Sequence, residues 1–165
     1  MLKIMHLVAL PLLAYSLLIV AGGKEIDFAT HSGYFVSNQF EPNAPTSFVV
    51  VQDPSAFDRV FGVAMVMGDS SQRLPINAFV SRMVVAVIHR GKAMVNYRVE
   101  NVTAEGKTLV VRYTTNSIRS DTAEYACPLV LSLAKGEYDD VQFVENGQKI
   151  KRVATRASKK LDAGK

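Results

Sequence analysis

Ser70 is the residue whose surroundings come nearest to those of a nucleophile. Met65-Val66-Met67 leads into Gly68-Asp69-Ser70, the strand-then-turn form in which serine hydrolases expose a hydroxyl. That chemistry requires a histidine base, placed three residues after an acid late in the chain. Neither His31 nor His89 follows an acid at that spacing, so Ser70 reads as a loop serine. Ser132-Leu133-Ala134-Lys135 matches Ser-x-x-Lys, but that pair works from a helix start with the lysine one turn on. Here the tetrapeptide closes an alternating strand, which sends Ser132 and Lys135 to opposite faces. Cys127 and His89 are the raw materials of a thiol nucleophile and its base. Cys127 lies in Ala126-Cys127-Pro128-Leu129-Val130-Leu131, where an inert buried thiol is expected. His31 reads as solvated and His89 as a satisfied residue at a strand end. Two histidines without carboxylates at ligand spacing make a poor metal site. Glu137, Asp139 and Asp140 read as a solvated turn, and the chain has no Gly-rich phosphate loop. No catalytic residue, metal or cofactor is expected.

The elements that would position any site begin after a distinct N-terminal segment. Lys3 is followed by Leu7 to Val20, which carries no charged residue, and then by Ala21-Gly22-Gly23 ahead of Lys24-Glu25. A basic start, roughly 7–15 apolar residues and a small-residue exit are the parts of a secretory signal. Residues 1–23 are therefore expected to be a signal of bacterial type, cleaved near Gly22. The alternative is a retained anchor, since the apolar stretch approaches the length that spans a bilayer. The exit has no Cys, which excludes a lipid-modified N-terminal Cys. The expected location is secreted or periplasmic after cleavage, or membrane-anchored without it. Membrane contact is expected only if the signal is kept.

Without residues 1–23 the chain keeps 142 of its 165 residues, enough for one domain with a core of its own. Cys127 is the single cysteine, so no internal disulfide is available. Charge is unevenly placed. From Lys149 onward there are seven Lys or Arg and one Asp, whereas Lys24 to Gln148 holds eleven basic and fourteen acidic residues. The basic character belongs to the end of the chain. Such an end can dock on an anionic partner, though export argues against nucleic acid.

Residues 24–45 are polar and read as irregular, with one extended candidate at Gly33-Tyr34-Phe35-Val36. Ser47 to Gln52 is rich in β-branched residues and reads as a strand. Asp53 and Pro54 then start a helix over about residues 54–62, with Ala56, Phe57, Val60 and Phe61 on its buried face. Beyond the loop from Gly68 to Pro75 the pattern turns to period two. Met83 to Ile88 is almost wholly apolar, as for a strand covered on both faces. Met94 to Val102, Thr108 to Thr114 and Leu129 to Leu133 follow, with Asn116 to Glu124 as a longer connection. Val141 to Val144 and Lys149 to Val153 flank Glu145-Asn146-Gly147, a strong hairpin signal. The expected fold is α+β and mostly β: an antiparallel β-sandwich or partly open barrel with one short N-terminal helix. The single β-rich domain is expected over 46–153 and a basic disordered tail over 154–165.

Phe48-Val49-Val50 through Pro54-Ser55-Ala56-Phe57-Asp58-Arg59-Val60-Phe61, then Ile76-Asn77-Ala78-Phe79 into Met83 to Val87, form one ordered series. It continues through the turn at Gly91, Leu109-Val110-Val111 and Ala126-Cys127-Pro128-Leu129-Val130-Leu131-Ser132-Leu133. This run, from Phe48 to about Val144, resembles the C-terminal domain of PrcB-type protease-complex subunits, exported bacterial proteins. The resemblance implies a non-catalytic accessory domain whose partner is another exported protein, with a protease as one candidate.

An exported protein-binding domain is the leading expectation. Edge strands of an antiparallel sheet recruit partner segments by strand addition. The last hairpin is the expected edge, with Val141, Phe143, Lys149, Lys151 and Arg152 as the partner-binding residues. A small-molecule or lipid-binding barrel is the alternative.

Overall fold

The computed structural model describes residues 23–64 and 72–155. The expected signal segment up to Gly22, Ser70 with its Gly-Asp neighbours, and the basic residues from 156 onward lie outside the described residues. Among the described residues, eleven strands, one α-helix and one short 3-10 turn follow in the order β1 (Lys24–Glu25), β2 (Phe28–His31), β3 (Tyr34–Val36), β4 (Thr46–Val51), α1 (Pro54–Val60), β5 (Phe61–Val63), the 3-10 turn (Ala78–Val80), β6 (Arg82–Gly91), β7 (Ala93–Glu105), β8 (Thr108–Arg119), β9 (Tyr125–Ala134), β10 (Asp140–Glu145) and β11 (Gln148–Ala154).

Two sheets carry most of these strands, ordered β1-β7-β8-β10-β11 and β2-β9-β6-β4; β3 and β5 pair as a separate ribbon. The fold is a mostly β sandwich with one short helix, and its sheets do not close into a barrel. Its main core lies between the two sheets, where Met83, Val85, Leu131 and Leu133 meet Leu109, Val111, Tyr113 and Phe143. A second core covers the opposite face of the four-stranded sheet. There Val49, Val51, Val84, Ala86 and Ile88 pack under Phe57, Val60 and Phe61. This double cover explains the unbroken apolar run of β6: its odd-numbered residues feed one core and its even-numbered residues the other.

Helix α1 forms for local reasons. The Asp53 carboxylate accepts from the Ala56 amide at 2.8 Å, and Pro54 occupies the first turn. Phe57 and Val60, three apart, supply the buried stripe. The chain returns to extended geometry at Phe61, so the helix ends at Val60 and Phe61–Val63 is strand. This shortens the expected 54–62 helix by two residues. At the last hairpin Asn146 and Gly147 take φ values of 49° and 79°, the paired positive angles that Asn-Gly favours.

Four expectations are corrected. Residues 24–45 are not irregular: β1, β2 and β3 are stabilised by pairing with β7, β9 and β5, all remote in the chain. The strands are not uniformly antiparallel, since β10 lies parallel to β8. The polar stretch from Asn116 begins as strand, because β8 runs to Arg119 against β7. Ala154, expected in the tail, closes β11 opposite Asp140.

Candidate groove and polar clusters

Among the described residues, β4 pairs only with β6, in the register Thr46↔His89 to Val51↔Val84. The Arg90 amide donates to the Pro45 carbonyl at 2.8 Å, which sets the phase of that ladder. In an antiparallel pair the bonded residues alternate. Ser47, Val49 and Val51 therefore turn their amides and carbonyls to β6, and Phe48 and Val50 turn theirs outward. These outward groups form the floor of a trough of about 780 Å³. One wall is α1 with Ala56, Asp58, Arg59 and Val60, extended by Phe40; the other holds Val153 of β11.

The second sheet ends at β11, which pairs only with β10 among the described residues. Both edges lie on one flank of the sandwich, where Phe48 meets Phe143 and Gln52 Nε2 donates to the Thr155 carbonyl at 2.9 Å. Val153 opposes Val141 and Lys151 opposes Phe143. Cross-strand partners share a face, so Lys151 and Val153 sit on the inner side of β11, toward β4.

The expected partner-binding residues divide accordingly. Val141 and Phe143 are fully buried on β10, an inner strand bonded on both sides, so neither can belong to a binding edge. Periodicity assigns their faces but carries no strand order. Lys149 and Lys151 are exposed on the true edge. Arg152 faces outward and is engaged: its Nε lies 2.8 Å from Asp140, and its Nη2 donates to Thr108 at 2.8 Å. That pairing holds the Asp140 carboxyl below the usual carboxylate range. Phe48, Val50 and Arg59 were not expected at the site. Their only sequence signal is a β-branched strand running directly into an Asp-Pro helix start.

His31 is not simply solvated. Its Nε2 lies 2.7 Å from Ser132 Oγ and its Nδ1 3.1 Å from the Gln72 carbonyl. Arg82 Nε donates to the same hydroxyl at 2.9 Å. With Nδ1–H given to Gln72 and Oγ accepting from Arg82, the Ser132 proton points at Nε2. This is the polarity of a serine–base pair, but Ser132 is 1% exposed, so the hydroxyl is enclosed. Burial is the main cause lowering the His31 pKa, aided by the nearby Arg82 charge and opposed by the bond to Gln72. Lys135 is remote in function from Ser132, its Nζ donating to the Phe79 carbonyl at 2.6 Å.

Cys127 and His89 are register partners on β9 and β6. Both imidazole nitrogens are nevertheless occupied: Nδ1 lies 2.8 Å from the Tyr97 hydroxyl and Nε2 3.4 Å from Glu145. The Tyr97 hydroxyl donates to the Cys127 carbonyl at 2.7 Å, and Cys127 Sγ accepts from the Val95 amide at 3.3 Å. Glu145 also accepts from Tyr113 at 3.1 Å and from Thr115 at 2.9 Å. Burial pushes both phenols above their ordinary pKa. The cluster ties the two sheets together and leaves no ring nitrogen for the thiol. No group of three or more metal-ligating side chains occurs among the described residues.

The fold and this flank define a mostly β sandwich in which the β4 edge is unpaired among the described residues. Comparison of the chain with family models, curated proteins and solved structures finds no match.

Proposed function

We propose that the chain is an exported, non-catalytic domain that binds another exported protein by accepting an extended segment along β4. One observation carries this reading: the outward amides and carbonyls of Phe48 and Val50 form the floor of a trough walled by α1 and β11. Free backbone groups supply affinity for any strand, and flanking side chains supply selection. The non-catalytic part is supported by the enclosure of Ser132 and the full engagement of His89. Export is supported by Lys3, the uncharged run to Val20 and the Ala21-Gly22-Gly23 exit. A secreted protease is one candidate partner, in keeping with the resemblance to PrcB-type subunits. The alternative ligand-holding barrel finds little room, because Phe143, Tyr113, Leu109 and Leu131 fill the space between the sheets.

The test is capture from periplasmic or secreted extract, with Val50→Pro as the control. Proline is tolerated on an edge whose N–H faces outward, and it removes that donor. A partner held by the wild type and lost by the folded variant is expected. No specific partner, or one held equally by Val50→Pro, overturns the proposal.

A further inference from the structure

We infer that His31 is an acid-operated latch: it holds residues 72–74 against the turn between β2 and β3, and a proton on its ring releases them. Hydrogen bonds spanning about forty positions of sequence fasten these three residues. The Gln72 carbonyl accepts from the Ser32 amide and from His31 Nδ1, each at 3.1 Å. The Gln72 amide donates to Ser32 Oγ at 3.0 Å, and the Leu74 amide to the Tyr34 hydroxyl at 2.9 Å. Leu74 thereby packs on the second core, where the Tyr34 ring stands edge-on to Phe57 at 5.2 Å. Release of residues 72–74 would uncover that apolar margin.

His31 is the sensitive member because its other nitrogen meets a buried hydroxyl. Ser132 Oγ has two partners among the described residues, His31 Nε2 at 2.7 Å and Arg82 Nε at 2.9 Å. Arg82 is fixed there, since its Nη2 also donates to the Ser132 carbonyl at 2.7 Å. With a neutral ring every proton has an acceptor: Nδ1–H at Gln72, Arg82 Nε–H at Oγ, and the hydroxyl proton at Nε2. A proton added at Nε2 would direct two donors at one enclosed oxygen and strand the proton of Ser132. Arg82, from β6, also supplies a like charge, while Arg73 turns its Nη2 to the Ala64 carbonyl. The facing residue of β9 is the neutral Ser132. Burial and Arg82 together outweigh the bonds from the Gln72 and Arg73 backbone, so the closed state binds the proton poorly. An unmatched buried donor is relieved when the ring turns out to water, and that movement gives up the Gln72 bond.

The experiment is amide hydrogen exchange of the protein at pH 7.5 and pH 5, corrected for the intrinsic pH dependence of exchange. A histidine that regains its ordinary pKa of 6.5 only when released raises the open-to-closed ratio by up to about thirtyfold over this range. The amides of Ser32, Gln72 and Leu74 are expected to lose about fivefold to thirtyfold in protection. Those of Val85 and Leu131, in the centre of the sandwich, should keep theirs. His31→Gln has no titrating ring and should make the three amides indifferent to pH. Arg82→Gln removes the competing charge and should reduce the acid loss, so the test stays decisive even where His31→Gln fails to fold. Three outcomes overturn the inference: protection at the three amides that is independent of pH, the same acid loss in either variant as in the wild type, or an equal loss along the whole chain.

Discussion

The ring of Phe48 lies 5.0 Å from that of Phe143, tilted by 53°, and joins the edge strand of one sheet to an inner strand of the other. Phe48 thus holds β4 against the sandwich while its backbone faces the trough. Phe143 has no exposure, whereas Phe48 is half-buried. Phe143→Ala is expected to cost about 3–5 kcal/mol and Phe48→Ala clearly less. Urea unfolding of the two single variants and the double variant should return a coupling of about 0.5–1.5 kcal/mol. Strict additivity would remove the link between β4 and the opposite sheet.

His31 makes stability depend on pH. Its folded pKa is lowered below the ordinary 6.5, so the unfolded chain binds the proton more readily. The His31 contribution is complete above pH 6.5 and declines as pH falls from there through the lower folded value. Between pH 7.5 and 5 the urea midpoint of the wild type should fall more steeply than that of His31→Gln. Equal slopes would refute the assignment.

A side chain at Gly62 must displace the exposed ring of Phe35. A Cβ there would come within 2.2 Å of the Phe35 ring, which packs across the β3–β5 ribbon. Gly62→Ala is expected to destabilise by up to about 1 kcal/mol, because the exposed Phe35 ring must turn away from the ribbon. Phe35→Ala, which removes the exposed ring, should recover much of that loss in the double variant. The measurement is thermal or urea unfolding of all three variants.

Tyr97→Phe isolates the inter-sheet cluster. The substitution removes the donor to the Cys127 carbonyl and the partner of His89 Nδ1. Leaving part-buried polar groups unmatched should cost about 1–3 kcal/mol. Amide exchange should quicken at the ends of β6 and β9 while β4 is unaffected. Uniform quickening throughout the chain would show a general loss of packing instead.

Locally encoded features were legible in the sequence. Asp53-Pro54 and the Phe57/Val60 stripe specify α1, and Asn146-Gly147 specifies the last hairpin, because caps and turn angles depend on adjacent residues. The long central strands were legible from apolar runs and alternation. The short strands near the N-terminus were not. Phe28 to His31 has little strand signal of its own and is held by β9, a hundred residues on. Lys149 and Lys151 lie on β11, which ends its sheet among the described residues, but neither lines the trough. The placement of Val141 and Phe143 at an edge failed, because alternation names the buried face of a strand without naming its neighbours.

The sequence by itself determined a mostly β chain with one capped helix, a basic end and an uncharged apolar run near its N-terminus. These follow from composition, side-chain period and local backbone preference. Only the tertiary structure decided that β10 lies inside its sheet beside a parallel β8, and that β4 and β11 end their sheets on one flank. Strand order depends on which distant edges meet as both cores close over β6. That packing sets the outward amides of Phe48 and Val50 between Arg59 and Val153, residues ninety-four positions apart in the chain.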